Sequence, residues 1–230
     1  MRFMRFGSKV LDVKELTPTV KHLRFSTPED FIYNPGQFIS LLLDVEGKEV
    51  RKPYSIASAP HPGFVELCVK LVEGGVGSTF LHNLKTGDDV KFIGPMGMFK
   101  VVNTSVPITF ICTGTGIAPF RAMIPQLLKE GHTNVRLFLG FRFEEEILYT
   151  HEFKELAKQY EGFEFHFCVS RPHGTYRGET GRVQPLVEKH SKDYEGDFYL
   201  CGLFDMIKET GAFLSSKGVD KKHIRFERYD

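Results

Sequence analysis

A glycine turn placed between an apolar run and a helical pattern constrains the fold of this chain more than any other stretch. Residues 106–111 form a short apolar run that is typical of a buried strand, and residues 120–129 carry apolar side chains at helical spacing. Residues 112–119, between them, have the sequence C-T-G-T-G-I-A-P. Because glycine lets the backbone approach a ligand closely and a helix N-terminus presents free N–H groups, this stretch predicts a phosphate cradle. An ordinary strand-to-helix turn has the same pattern, so both interpretations are open at this point.

The pattern of hydrophobicity changes near residue 103, and this change predicts two domains. Before it, short alternating runs separated by turns predict six antiparallel strands with one short helix at 78–85. After it, apolar strand runs alternate with amphipathic helices, which predicts a five-stranded parallel, doubly wound sheet. A chain of 230 residues is long enough for both. We therefore expect an all-β barrel domain over residues 1–103 and an α/β domain over residues 104–230.

The charge and the cysteine spacing argue against several classes of function. A net charge of +1 at pH 7 argues against nucleic acid or an anionic membrane as a partner, and no apolar run approaches the roughly 20 residues of a membrane span. The cysteines are widely separated and each belongs to an apolar run, which argues against an iron–sulfur or zinc centre. Buried, reduced thiols are typical of a cytoplasmic protein. The histidines lack metal-binding spacing, so we predict no metal site.

Two motifs in the predicted barrel suit a ligand that carries both phosphate and a planar ring. Residues 51–58, R-K-P-Y-S-I-A-S, place two cations, an aromatic ring and hydroxyl groups at the end of a strand. Residues 73–81 form a glycine-rich turn that opens a helix, which is a second anion cradle. Each motif alone has a purely structural explanation, namely side-chain packing or a common turn. Their combination in one small barrel favours the ligand-binding interpretation.

Six short motifs follow one another along nearly the whole chain in the order seen in one known family. They are P-G-Q-F at 35–38, K-P-Y-S-I-A-S at 52–58, G-V-G-S at 75–78, G-P-M-G-M-F at 94–99, the glycine turn at 112–119 and C-G-L-F-D-M at 201–206. Together they resemble the motifs of the ferredoxin–NADP reductase superfamily of flavoprotein reductases. One departure is that Lys52 stands where the flavin signature of the family has arginine.

The resemblance implies that FAD binds to the barrel. Tyr54 is then expected to stack on or edge the isoalloxazine ring, Ser55 to hydrogen-bond near N5, and Ser78 with its neighbouring amides to take the pyrophosphate. Either Lys52 or Arg51 could hold a phosphate, and a second phosphate cradle favours FAD over FMN. The expected flavin residues are Arg51, Lys52, Pro53, Tyr54, Ser55, Ile56, Val69, Leu71, Gly75, Val76, Gly77, Ser78 and Thr79.

The resemblance also implies a nicotinamide dinucleotide site in the second domain. The residues expected to hold the dinucleotide are Thr113, Gly114, Thr115, Gly116, Cys201, Gly202 and Met206. The C-terminal sequence E-R-Y-D resembles a family tail in which an aromatic residue covers the flavin and must move for the nicotinamide to stack. A frayed strand with a surface tyrosine is the structural alternative. Tyr54, Ser55, Cys201, Glu227 and Tyr229 are therefore the expected catalytic residues.

Basic residues near the predicted strand ends indicate which nucleotide is used. Arg142, Ser170, Arg171 and Arg182 resemble the serine and arginines that bacterial flavodoxin reductases place around the 2′-phosphate. This resemblance predicts NADPH in preference to NADH, while solvated loop charges are the structural alternative.

The expected function is hydride transfer between NADPH and FAD, with single electrons passing to or from ferredoxin, flavodoxin or a similar carrier. One alternative is a flavin-binding electron-transfer subunit of a larger complex of the oxygenase, hydrogenase or dihydroorotate dehydrogenase type. The other is a nucleotide-binding module that has lost flavin. The implied partner is a redox protein, with no nucleic acid and no membrane, and the chain is expected to be a monomer or part of a redox complex.

Overall fold

A computed structural model describes residues 3–229, so that Met1, Arg2 and Asp230 lie outside the described residues. The chain divides into two compact units. One comprises the described chain up to Lys100 together with Ala118–Met123, and the other comprises Val101–Ile117 and the described chain from Ile124 onward. The domain boundary between residues 103 and 104 stays a prediction.

The first unit contains the six antiparallel strands that the sequence predicts. Their order in the sheet is β4-β3-β6-β1-β2-β5, and the short helix α1 follows β5. The elements are β1 (Met4–Thr17), β2 (Val20–Ser26), β3 (Phe38–Val45), β4 (Lys48–Ser55), β5 (Phe64–Lys70), α1 (Val76–Asn83) and β6 (Asp89–Met96).

The sheet closes into a barrel because the chain beyond β4 pairs with β5. Ile56 forms an antiparallel bridge with Leu67, and the backbone N–H of Ala57 donates to Glu66 O at 2.7 Å. The two outer strands of the sheet therefore meet, which removes their open edges. The alternating apolar side chains fill the interior, where the largest fully buried members include Phe25, Phe92, Leu23, Ile39 and Leu41.

The second unit contains the five-stranded parallel sheet, with strand order β11-β10-β7-β8-β9. Strands β7, β8 and β10 are almost wholly buried, which explains why they read as continuous apolar runs. The elements are β7 (Ile108–Thr113), α2 (Ala118–Lys129, shared with the first unit), β8 (Val135–Phe141), α3 (Thr150–Gln159), β9 (Phe163–Val169), α4 (Val183–His190), β10 (Asp197–Gly202), α5 (Phe204–Ser216) and β11 (Ile224–Arg228).

The parallel register brings the carboxyl ends of the strands to one edge of this sheet. Cys112 of β7 pairs with Cys201 of β10 on one side and with Leu139 of β8 on the other. At the outer end of the row, Phe141 of β8 pairs with Val169 of β9. Ligands of open α/β sheets bind outside this edge, so the loops that follow these strands form the candidate nucleotide site.

Among residues 3–229, no helix combines the length and the apolar character that crossing a membrane requires.

Candidate flavin and dinucleotide sites

The two faces of β4 present different side chains. Arg51 lies 3.0 Å from Glu49, and Glu49 also accepts two hydrogen bonds from Arg5 at 2.6 and 2.8 Å. Lys52 and Tyr54 lie on the opposite face, because successive residues of a strand alternate between faces. The sequence left the choice between Arg51 and Lys52 open. The fold places Arg51 in an exposed ion cluster with Glu49 and Arg5.

The first turn of α1 lies directly against Lys52 and Tyr54. A Cβ added to Gly77 would stand 2.8 Å from Lys52 Cγ and 2.7 Å from the Tyr54 hydroxyl, so only glycine allows this approach. The N–H groups of residues 76–78 have no acceptor inside the helix, as in the first turn of any helix. Lys52 forms no ion pair with any residue between 3 and 229. A cation and N–H groups without an acceptor in the helix therefore lie side by side, which is a suitable donor set for a pyrophosphate.

The loop before α1 is shaped by Ser78. The Ser78 hydroxyl accepts a hydrogen bond from Val72 N at 3.1 Å and donates to Gly75 O at 3.1 Å, and its residue is buried. This side chain is already used inside the loop, so the backbone N–H groups are the better pyrophosphate donors. Leu71, Val72 and Val76 are exposed beside them and form an apolar rim suited to a planar ring.

Tyr54 is the aromatic residue of this site. Its half-buried ring packs against the barrel core, and burial raises the pKa of its hydroxyl to about 12. The hydroxyl therefore keeps its proton at neutral pH and can donate a hydrogen bond. Of the other expected flavin residues, Ser55, Ile56 and Val69 are buried in the barrel wall, whereas Pro53 and Thr79 are exposed.

The residues of the first unit fit FAD. Free N–H groups and the Lys52 ammonium match the pyrophosphate, while the rim and the Tyr54 ring match planar, largely apolar ring systems. This fit depends on the close approach of Gly77 to Lys52 and Tyr54, which brings the motifs at 51–58 and 73–81 together.

The glycine turn that follows β7 packs tightly on the end of β10. A Cβ added to Gly116 would overlap the carbonyl oxygen of Cys201 and lie 2.8 Å from its carbonyl carbon. A Cβ on Gly202, whose φ is +154°, would lie 2.7 Å from Thr113 Oγ1 and 2.6 Å from Met206 Cε. Each of these glycines is thus required by a close approach between the turn and the end of β10.

The outer side of the same turn is open. Residues Gly114–Ile117 form one 3-10 turn that leads directly into α2, and Pro119 lies in the first turn of that helix. Gly114 has φ +53°, and a Cβ there would meet no atom within 4 Å. Thr115 is half-buried beside it. A turn that is packed on one side and open on the other at a helix N-terminus fits the phosphates of a dinucleotide.

Cys201 lies with Glu227 and Tyr229 at the end of the sheet. Burial raises the pKa of the Cys201 thiol, the nearby negative charge of Glu227 acts in the same direction, and a hydrogen bond from Tyr229 acts against them. Tyr229 is held by its backbone N–H, which donates to Gly202 O at 3.0 Å. A neutral, fully buried thiol is suited to packing and not to nucleophilic attack. The structure thus brings three of the expected catalytic residues together.

Three of the residues expected at the 2′-phosphate leave the sheet beside one another. Ser170 N donates to Phe141 O at 2.9 Å, and Arg171 N donates to Arg142 O at 2.8 Å. Neither Arg142 nor Arg171 has a side-chain ion pair with any of the described residues. Two unpaired guanidinium groups and a serine hydroxyl at a strand end fit a phosphate group.

Arg182 joins this group from the other side of β9, but its side chain has a partner. Thr180 forms a parallel bridge with Val169, and Gly181 N donates to Val169 O at 2.9 Å, so the chain passes next to Ser170. The Arg182 guanidinium forms an ion pair with Glu209 of α5.

Sequence reasoning missed a buried carboxylate in the first unit. Glu66 accepts hydrogen bonds from Arg121 at 2.7 Å and from Arg24 at 2.6 and 2.9 Å, and His22 Nε2 lies 3.4 Å away. Burial by itself would raise the pKa of Glu66, but hydrogen bonds from His22 and Arg121, the Arg121 charge and the Arg24 bond outweigh it and hold the pKa well below its usual range. The only sequence signal was a glutamate inside the strand-like run 64–72.

A second missed group lies near the 2′-phosphate residues. The sequence 144–146, E-E-E, is a one-turn 3-10 helix, and Glu144 accepts a hydrogen bond from His173 N at 2.8 Å. Glu144, Glu145 and His173 bring three possible metal-ligating atoms within 4.8 Å of one another, but two of these residues are exposed. Glu146 accepts a hydrogen bond from Arg142 N at 3.3 Å. These glutamates fix the backbone around the arginines.

Comparison with known families agrees with both halves of this description. A model of the oxidoreductase FAD-binding domain matches residues 8–101, and a model of the oxidoreductase NAD-binding domain matches residues 110–211.

The curated relatives include ferredoxin–NADP reductases and electron-transfer components of oxygenases. Ferredoxin–NADP reductase B of Sorangium cellulosum is 34% identical over 98% of this chain and 98% of that protein. Ferredoxin–NADP reductase of Synechocystis is 32% identical over 91% of this chain and 60% of that protein. The toluate 1,2-dioxygenase electron transfer component of Pseudomonas putida is 26% identical over 97% of this chain, which spans 67% of that component.

Solved structures share the fold. The FAD/NAD-binding domain of nitric oxide dioxygenase from Vibrio cholerae is 27% identical and covers 99% of both chains, with a TM-score of 0.88. A ferredoxin–NADP reductase from Neisseria gonorrhoeae with bound FAD and NADP is 23% identical and covers 97% of this chain and 98% of that chain, with a TM-score of 0.82. This chain therefore belongs to the ferredoxin reductase-like superfamily, as an oxidoreductase that binds FAD and uses NAD(P)H as its co-substrate.

Proposed function

We propose that this protein is a reductase that prefers NADPH to NADH and exchanges single electrons with a carrier such as ferredoxin or flavodoxin. The observation that carries the nucleotide preference is the position of Arg142 and Arg171 beside Ser170, with neither guanidinium group in an ion pair with a residue from 3 to 229. An NADH site would instead place a carboxylate where the ribose 2′-hydroxyl binds. The carrier protein is proposed because the relative from Sorangium, named a ferredoxin–NADP reductase, is similar over nearly its whole length.

The protein's own residues supply binding and orientation. FAD, when bound, supplies the hydride acceptor and the one-electron chemistry. Lys52 and the N–H groups of residues 76–78 hold the pyrophosphate, and Tyr54 contacts a ring of the cofactor. The turn at 113–116 holds the nucleotide phosphates, and the buried Cys201 thiol provides a neutral surface for the nicotinamide. The Tyr229 hydroxyl now lies beside this thiol, so Tyr229 must move before a nicotinamide can pack there.

The proposed compartment is the cytoplasm. All four cysteines are unpaired and buried, which suits a reducing environment.

A second candidate function is the reductase component of an oxygenase. It is favoured by the similarity to the toluate dioxygenase component, although the chain spans two thirds of that protein. Such a component would reduce its own oxygenase or an associated iron–sulfur protein and would show low turnover with free ferredoxin or flavodoxin.

Anaerobic titration of the purified protein tests the proposal. We expect NADPH to bleach the flavin absorbance stoichiometrically and a ferredoxin or flavodoxin to restore it. Failure of both carriers, with reoxidation by an oxygenase component, would favour the second candidate.

Replacing Arg171 by alanine tests the nucleotide preference. We expect kcat/KM for NADPH to fall about tenfold, because a charge-assisted hydrogen bond to the 2′-phosphate is lost. The value for NADH should stay unchanged, since NADH lacks that phosphate, and so serves as the internal control. A wild-type protein that uses NADH more efficiently than NADPH would contradict the assignment.

Replacing Lys52 by alanine tests the flavin site. We expect the dissociation constant for FAD to rise about ten- to a hundredfold, as for the loss of one charged hydrogen bond to phosphate. Arg51→Ala is the matched control, because Arg51 pairs with Glu49 on the opposite face and should leave FAD affinity nearly unchanged. Fluorescence titration of the apoprotein with FAD measures both. A larger loss in Arg51→Ala than in Lys52→Ala would reverse the assignment.

A further inference from the structure

The ion pair between Arg182 and Glu209 occupies one of the cations expected at the 2′-phosphate. Arg182 is the residue immediately before α4, and Glu209 lies in the middle of α5. Both side chains are exposed. Asp205, one turn earlier on α5, adds a second negative charge that acts on the same guanidinium. Arg182 thus faces two carboxylates from α5.

A neighbouring contact keeps the partners of this ion pair together. Gln184 Nε2 donates to Thr210 Oγ1 at 3.0 Å, and Thr210 is completely buried. Gln184 lies two residues after Arg182, and Thr210 directly follows Glu209. The start of α4 is therefore fixed against α5, and the carboxylate remains within reach of the guanidinium without depending on the flexible side chains alone.

We propose that Glu209 is a specificity-determining residue, which holds Arg182 and competes with the 2′-phosphate of NADPH for it. This inference rests on the proposed nucleotide preference. Arg142 and Arg171, which have no such partner among the described residues, then provide the phosphate contacts in the resting protein. Arg182 contributes only when its carboxylate partner is displaced, so the preference for NADPH is weaker than the number of arginines suggests.

The size of the effect follows from the exposure of the pair. Exposed ion pairs are weak, so the 2′-phosphate displaces Glu209 from Arg182 at a modest cost in free energy. Removing the charge of Glu209 should therefore strengthen binding of a 2′-phosphorylated nucleotide about three- to fivefold. Binding of NADH should not change, because its ribose carries no phosphate to compete for Arg182.

The test compares Glu209→Gln with the wild type in the full chain containing FAD. We expect the dissociation constant for 2′,5′-ADP and the KM for NADPH to fall about three- to fivefold, while kcat and the KM for NADH stay constant. Glu188→Gln is the matched control: it removes the same charge from a glutamate that pairs with Lys217 elsewhere on this unit. It should leave all four quantities unchanged.

A double-mutant cycle shows whether Glu209 acts through Arg182. In the Arg182→Ala background, Glu209→Gln should no longer strengthen binding of 2′,5′-ADP. The inference is overturned by unchanged affinity in the single variant, by an effect that persists without Arg182, or by equal tightening in Glu188→Gln. Each variant is compared with the wild type by its affinity for 2′,5′-ADP, so the cycle tests the role of Glu209 even if the wild type prefers NADH. An NADH preference would contradict only the proposed nucleotide preference.

Discussion

Replacing Glu66 by glutamine is expected to lower the free energy of unfolding of the first unit by about 3 kcal/mol, because two arginines lose a buried counterion. Glu66 is 5% exposed and accepts hydrogen bonds from Arg24 and Arg121. An amide oxygen can still accept hydrogen bonds from one of the two arginines, but it carries no charge to balance the guanidinium groups. Urea unfolding at pH 7, followed by far-UV circular dichroism and by release of the flavin, measures the loss.

Glu49→Gln is the matched control for this change. Glu49 also lies between two arginines, Arg5 and Arg51, but the three side chains are exposed to solvent. Because water and salt screen exposed ion pairs, this variant should unfold almost like the wild type. Equal losses in the two variants would show that burial of Glu66 does not matter.

The wild type and Glu66→Gln should also differ in how their free energy of unfolding depends on pH. The pKa of Glu66 is lower in the folded state than in the unfolded chain, so its contribution to stability is complete above the ordinary pKa of a glutamate, about 4.5. Below that pH the unfolded chain binds a proton first, and the contribution is lost progressively. The difference in unfolding free energy between the wild type and Glu66→Gln should therefore be constant from pH 7 to about pH 5 and narrow below pH 4. A difference that grows on acidification would contradict the assignment.

Replacing Gly116 by alanine is expected to reduce kcat/KM for NADPH about a hundredfold. A Cβ at this position would overlap the Cys201 carbonyl group, so the turn or the end of β10 must shift, and a displacement of about 1 Å near the reacting groups can have an effect of this size. The change lies in the second unit, so binding of FAD and chemical reduction of the flavin by dithionite should be retained. Steady-state kinetics together with FAD content measures both properties.

Gly211→Ala is the control for the loss of a glycine as such. Gly211 lies within α5, and a Cβ added there would meet no atom within 4 Å, so alanine should keep full activity and slightly stabilise the helix. If Gly116→Ala kept wild-type turnover with NADPH, the turn at 113–116 would not be the nucleotide cradle.

The sequence was sufficient for the architecture because each unit has its own periodicity. Alternating side chains predicted the six antiparallel strands, and continuous apolar runs such as 108–113 predicted the buried parallel strands, and both predictions are confirmed. The helix expected at 78–85 spans Val76–Asn83, so it begins and ends two residues earlier than expected. Its start depends on the loop held by Ser78, which the helical pattern of the sequence does not contain.

The candidate sites could be predicted less completely, since their details depend on contacts between distant residues. The motif at 52–58 could not show which cation faces α1, because that depends on the position of Gly77 in the folded chain. Glu66 finds Arg24 and Arg121, which are 42 and 55 residues away in sequence. The pairing of Arg182 with Glu209, 27 residues away, likewise requires two helices to lie together. No local pattern contains this information.

The closure of the barrel limits how the motif at 52–58 can vary. Its first half, Lys52 and Tyr54, faces the cradle, whereas Ile56 and Ala57 pair with β5 and Ser58 Oγ accepts a hydrogen bond from Glu66 N at 3.0 Å. Five of the seven positions in this motif thus divide into two that face the cofactor cradle and three that close the barrel. A library that randomises residues 52–54 can be screened for binding of other flavins, because the barrel stays intact. In a library that randomises residues 56–58, most of the selection would be for variants whose barrel still closes. Loss of flavin in variants at 56–58 would then indicate that the barrel has opened, and not that a contact with the flavin has weakened.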